Sequence, residues 1–235
     1  MIKFENTEVF NFEGALRGMR NPLNSWDKSD SKTCNKCYGK PIGADECPLN
    51  DMLGDTLFEI TCPGFILGPN DLNLAQRLIK AGSDHRKFLR QIFVSVDITA
   101  PLYWWKEFDT YKVATVSNSC STMHKIHAKE FTLDDFSCEH LNDDNIELLE
   151  SLIRRLNSCI ALFIRTKDKT HWWQMIQLLP SSYNQKRTIT LNYETLRNIY
   201  GSRRNHKLDE WSKVFMEWID SLPYSEELIK YETRA

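Results

Sequence analysis

Two groups of side chains in this sequence have the types and spacing that chemistry uses. Cys34, Cys37, Cys47 and Cys62 open with a CxxC pair, and four thiolates supply the soft, closed, tetrahedral coordination that zinc favours. The second half is spread out rather than repeated as a second CxxC, so free thiols in a loop are the plain alternative. The second group is RNIYGSRRNHK, which places Arg197, Arg203, Arg204, His206 and Lys207 where one helix ends and another begins. Guanidinium groups and helix N-terminal amides at such a junction form a natural phosphate site. The alternative is a solvated cationic face that favours the C-terminal dipole of the preceding helix. Cys120 lies in the polar run SNSCST with His124 and His127 nearby as bases, although thiol and base meet in the fold rather than in the sequence. The pairs Trp104–Trp105 and Trp172–Trp173 offer stacking surfaces, but tryptophans at helical spacing are more often core.

These groups need elements to position them. Val9, Phe10, Phe12, Ala15, Leu16 and Met19 predict a strand running into a short helix. Residues from Asn21 to about Pro69 are polar and irregular, with Pro and Gly punctuation, and read as a long loop or insertion whose cysteine-containing part spans about 30–62. Asn70 or Asp71 is expected to cap a helix through Leu72, Leu74, Ala75, Leu78 and Ile79 that Gly82 ends. QIFVSVDITA is β-branched and alternating, a strand closed by Pro101. LYWWKEFDTYKV then predicts a helix of two to three turns. Asp143 and Asp144 open the clearest helix, with Ile146, Leu149, Ile153, Leu156, Ile160 and Phe163 at three-four spacing. HWWQMIQLLP reads as another helix. TITLNYETLRNIYG reads as a third, capped at Thr190 or Asn192 and ended by Gly201. A last helix carries Leu208, Trp211, Val214, Phe215, Trp218 and Ile219.

Composition bounds the class. With 235 residues, 41% hydrophobic and 26% charged, the chain can bury a core without a disulfide scaffold and is not a low-complexity or disordered polymer. Thirty basic against 32 acidic residues give a formal charge of -2, so no general nucleic-acid binding is expected and any anion contact must come from a local cluster. No apolar run reaches the length of a membrane helix and MIKFENTEVF lacks a signal-peptide pattern, which predicts a cytoplasmic protein whose scattered cysteines stay thiols or metal ligands.

The order of the pieces resembles a known family. APLYWWKEFDTYKVATVSNSCSTM, from Ala100 to Met123, resembles the segment of flavin-dependent thymidylate synthases in which a strand, an AP turn and a helix lead into the signature RHRx7S. Leu179-Pro180 followed by NYETLRNIYGSR, from Asn192 to Arg203, is similar to the family's Nx3LxNx4R stretch, and ALRGMRNPLNSWDKSD to its first helix and following loop. The resemblance implies an α/β (α+β) fold with a central mixed sheet flanked by helices, one domain over residues 1–235, and a homotetramer with FAD and a pyrimidine nucleotide between subunits. It implies that Asn192 and Asn198, with Lys112, contact the flavin. Arg203 would bind and polarise the pyrimidine as the catalytic group, with Arg204, Asn118 and Cys120 as further nucleotide contacts. Folate is the implied carbon donor. The signature itself departs from the family: Thr110, Tyr111 and Lys112 stand where it has RHR, Cys120 where it has serine, and Ile176 where it has a second nucleotide-binding arginine. Two functions follow: flavin-dependent modification of a pyrimidine nucleotide, such as reductive methylation of dUMP to dTMP, or a noncatalytic nucleotide- or protein-binding descendant, such as a phage-encoded modifier or inhibitor.

Overall fold

The computed structural model describes residues 2–35, 47 and 60–232. In chain order it contains β1 (Lys3–Phe10), α1 (Phe12–Arg20), the two-residue strands β2 (Lys32–Thr33), β3 (Ile60–Thr61) and β4 (Phe65–Ile66), and helix α2 (Pro69–Ala81). A 3-10 turn at Lys87–Gln91 leads into β5 (Phe93–Pro101) and α3 (Leu102–Phe108). Then come β6 (Val116–Ser119), α4 (Asp143–Thr166), α5 (Lys169–Leu178), β7 (Asn184–Asn192), α6 (Tyr193–Arg203) and, after a π-helical turn at Glu210–Phe215, α7 (Met216–Asp220). The main sheet has the order β3-β1-β5-β7-β6, with β1 and β3 parallel through Thr7 opposite Ile60, while β2 and β4 form a small antiparallel pair. Helices flank the sheet, as the sequence implies. Among the described residues no helix is long and apolar enough to cross a membrane.

β5 forms where alternation predicts it: Val94, Val96 and Ile98 are fully buried between half-exposed neighbours, and the strand ends on the buried Ala100 and Pro101. Each larger side chain so removed from water contributes about 1.5–3 kcal/mol. Two expectations need correction. TITL ends β7 rather than opening the helix, so of the two expected caps it is Asn192, not Thr190, that starts α6, and α6 continues through Gly201 to Arg203. Nor do Asn70 or Asp71 cap α2. The helix starts with Gly68 and Pro69, and its first amides are held by Asp30, which accepts from the Asn70 and Asp71 N–H groups at 2.9 and 3.1 Å. Asp71 is instead turned inward. Gly82 ends α2 as expected, at a φ of 109° that disfavours any side chain.

The chain divides into two compact units: Met1–Lys3, Ile98–Thr110 and Asn118–Thr188 in the first, Phe4–Asp97, Tyr111–Ser117 and Ile189–Ala235 in the second. The first is organised by α4 and α5, whose Leu149, Ile153, Leu156, Ile160 and Met175 pack with Phe131 and Phe136. In it α3 buries Trp104, Trp105 and Phe108, so the first tryptophan pair is core rather than a stacking platform. In the second unit, Phe4 stacks on Trp218 at 4.7 Å between ring centres and Trp218 Nε1 donates to Thr7 Oγ1. Tyr193, fully buried, donates its hydroxyl to the Pro223 carbonyl at 2.6 Å, and burial pushes that hydroxyl well above its ordinary pKa.

Candidate functional site

Helix α6 carries Arg197, Asn198 and Arg203 and is preceded by Asn192, and all four lie in the second unit. Asn192 is its N-cap. The buried Oδ1 accepts from the Thr195 N–H at 2.9 Å and from Thr195 Oγ1 at 3.1 Å, an arrangement typically worth about 1 kcal/mol to a helix. Thr195 Oγ1 also reaches the Val113 carbonyl at 3.4 Å, tying the helix start to the 111–117 segment. Glu194 in the first turn pairs with Arg86 at 2.9 Å. Asn198 points outward, exposed, and its side chain makes no hydrogen bond among the described residues.

The basic cluster separates into different jobs. Arg197 is buried and donates to the carbonyls of Ile229 and Tyr231, so it fastens the C-terminal segment to α6. Burial, then the nearby Arg86, lowers its pKa, but a guanidinium stays charged at neutral pH. Arg203 sits at the end of α6. Its Nε donates to the Tyr111 hydroxyl at 2.7 Å, and its guanidinium lies 5.5 Å from the Tyr111 ring centre and 5.4 Å from that of Trp211. Two aromatic rings therefore set the plane of the fork. Arg204 lies over Tyr200, and His206 uses Nδ1 to accept from the Leu208 N–H, starting the next helical segment. Lys112 is exposed beside Tyr111 in the chain. Helix geometry places Asn198 and Arg203 about 140° apart around α6, so the two do not share one face.

Asn118 and Cys120 belong to the first unit. Asn118 is exposed on β6. Cys120 continues β6 along β7: its N–H donates to the Lys186 carbonyl at 2.9 Å and its carbonyl accepts from Gln185 Nε2 at 2.6 Å. Neither His124 nor His127 is hydrogen-bonded to the Cys120 thiol; the His127 ring packs edge-on against Phe163 at 4.8 Å instead. The thiol–imidazole pairing raised by the sequence is thus absent among the described residues. The zinc expectation is not supported either. Cys34, Cys47 and Cys62 are not gathered with other ligands into a metal-holding group among the described residues, and Cys37 lies outside them. The Cys34 backbone is taken up by pairing with Gly64, whose own N–H points at the Cys62 sulfur at 3.5 Å.

Sequence reasoning missed one cleft altogether. In the second unit, α1, the end of α2 and the 3-10 turn enclose about 610 Å³, with Met19, Leu23, Leu78 and Phe88 as apolar walls and Asp84, His85, Lys87 and Arg90 at its polar side, where the cations outnumber the carboxylate. That volume is in the range of small-molecule sites, and a flat heteroaromatic ring with an anionic tail matches such a lining. Its residues come from separate elements with no common motif. The only available signal was the basic run around His85 to Arg90 just before β5.

No family model matches this chain, and no curated protein does. Solved structures do. Thymidylate synthase X from Helicobacter pylori with FAD and dUMP superposes with a TM-score of 0.62, covering 98% of each chain at 15% sequence identity. Flavin-dependent thymidylate synthase from the same organism, complexed with FAD and dUMP, gives 0.59 over 95% of this chain and 98% of that one at 16% identity. At these identities the likeness shows the fold: this chain shares the architecture of those synthases from end to end.

Proposed function

We propose that this chain binds FAD and a pyrimidine nucleotide and carries out a flavin-dependent modification of the pyrimidine at C5, with reductive methylation of dUMP to dTMP as the reference reaction and folate as its carbon donor. The observation that carries the reading is the end-to-end likeness to proteins solved with FAD and dUMP. The residues at hand fit a flavin: the cleft lined by Met19, His85, Lys87 and Arg90 offers apolar walls for a flat ring and cations for a diphosphate. Asn198 and Lys112, exposed, and Asn192, at the positive end of α6, are the further contacts assigned to the cofactor. Bound flavin supplies the reducing equivalent. Arg203 then answers the charge change in the substrate, because a guanidinium against a pyrimidine carbonyl stabilises the negative charge that develops as hydride reaches the ring. Tyr111 and Trp211 hold that guanidinium in place before substrate arrives. Arg204, Asn118 and Cys120 complete the nucleotide contacts, in an assembly of four chains with sites between subunits.

Asn198 provides the test. Its side chain is exposed and bonded to nothing described, so Asn198→Ala is expected to leave the melting temperature without ligand unchanged while weakening FAD about tenfold, the worth of one hydrogen bond to a charged or polarised group. Melting curves and flavin absorption titrations read the two effects separately. Unfolding of the variant, or unaltered FAD affinity, would remove Asn198 from the site.

A second reading, a noncatalytic binding descendant, is favoured by a specific observation. Asn192 Oδ1 and the Arg203 Nε are already engaged inside the chain, and Cys120 has no base bonded to its thiol among the described residues. Purified protein that stays colourless when FAD is added would favour it.

A further inference from the structure

The second unit also holds a small cleft of about 210 Å³ over the C-terminal half of α1. One wall is a buried charge. Arg20 is 3% exposed; its Nε pairs with the fully buried Asp71, and its Nη1 donates to the Ser25 carbonyl at 3.2 Å. The third nitrogen, Nη2, is buried with no hydrogen-bond partner among the described residues, a costly state for a guanidinium. Arg17 lines the same cleft one helical turn earlier, exposed and without a partner among the described residues. Ser29 and Ser31 also line it, but the hydroxyls of both are hydrogen-bonded to the Asp71 carboxylate, and Ser31 Oγ accepts from the Gly68 N–H as well. The two guanidinium groups are therefore the donors that remain. Leu16, Phe65 and the half-exposed ring of Trp26 supply apolar surface beside them.

We propose that this cleft is a binding site for a small organic monocarboxylate, its oxygens received by the guanidinium groups of Arg17 and Arg20 and its hydrocarbon part lying against Leu16, Phe65 and Trp26. Charge selects the carboxylate over a phosphate. Arg17 and Arg20 are matched by Asp71 and by Glu13, which also lines the cleft, so the site starts near neutral, and a dianion would leave twice the uncompensated charge of a carboxylate. Size agrees, because cavities somewhat smaller than this, about 150 Å³, admit a benzene ring. Its lining shares no residue with the groups proposed to hold FAD or the nucleotide, so the proposal does not depend on them.

The test is calorimetric titration of benzoate, acetate and inorganic phosphate into the full chain, with tryptophan fluorescence followed in parallel. Benzoate is expected to bind more tightly than acetate or phosphate, to perturb the fluorescence of wild type and to lose that signal, while keeping its heat, in Trp26→Phe. Arg17→Ala and Arg20→Lys are each expected to weaken benzoate about tenfold or more, through loss of a charge-assisted contact or of the planar fork. Arg203→Ala should bind benzoate as wild type does, which keeps this site distinct from the proposed function. Should Arg20→Lys fail to fold, Arg17→Ala decides, since its side chain is exposed. Equal benzoate affinity in wild type and Arg17→Ala, phosphate tighter than benzoate, or loss of benzoate binding in Arg203→Ala would overturn the proposal.

Discussion

Arg203→Ala is expected to weaken pyrimidine-nucleotide binding roughly tenfold to a hundredfold, the loss of one charge-assisted contact worth about 1.5–3 kcal/mol in a partly dehydrated site. Arg203→Lys should recover only part of it. The guanidinium is held by Tyr111 Oη at 2.7 Å and flanked by the rings of Tyr111 and Trp211, and an ammonium lacks both the planar fork and the stacking face. If Arg203 merely covers aromatic surface at a helix end, the same variants lower stability by a few tenths of a kcal/mol to about 1 and leave nucleotide affinity alone. Titration of dUMP, dCMP and dTMP into wild type and both variants, with FAD present, separates the cases: altered affinity with nearly constant stability supports the site, and the reverse pattern contradicts it.

Asp71→Ala is expected to cost about 3–5 kcal/mol of folding stability, the usual consequence of leaving one member of a buried ion pair uncompensated. Asp71 is fully buried, is paired with Arg20, and accepts from Ser29 Oγ at 2.8 Å and from the Ser31 N–H at 3.1 Å. Burial alone raises its pKa, but the hydrogen bonds from Ser31, Ser29 and Arg20 outweigh it and hold the carboxyl below its ordinary value of 3.8. A depressed carboxylate contributes stability that is present above the unfolded value and lost as pH falls through the folded one. Urea unfolding at neutral pH should therefore show the full gap between wild type and Asp71→Asn, and the gap should shrink below about pH 4 as wild type loses its charge. A gap that stays constant into acid would mean that the side chain's shape, not its charge, holds α1 to α2.

The contrast between Asp71 and β5 shows what the sequence carries. The alternation in FVSVDITA and the three-four stripe from Leu149 to Ile160 are local periodicities set by burial on one face, and both elements lie where the pattern predicts. β7 escaped because Gln185, Lys186, Arg187 and Thr188 make its first half polar. Arg187 is satisfied sideways, by Asp109 at 2.7 Å and by stacking on Trp105 at 4.2 Å, so no hydrophobic alternation announces a central strand. The cap of α2 comes from Asp30, forty positions earlier in the chain, and a distant cap leaves no mark beside the helix. The same holds for the site. Asn192 and Arg203 are singled out by motif resemblance and stay proposed contacts, whereas the attachment of Arg197 to Ile229 and the cleft beside His85 and Arg90 depend on segments that meet only after folding.

The proposed function requires that this fold serve a flavin and a pyrimidine nucleotide. Titration of FAD into the purified chain, followed by flavin absorption with and without dUMP, tests it directly. Saturable, stoichiometric binding of FAD that tightens, or changes the flavin spectrum, when dUMP is added is the expected result. A colourless protein that leaves the FAD spectrum unchanged at every concentration, with dUMP present, would contradict it.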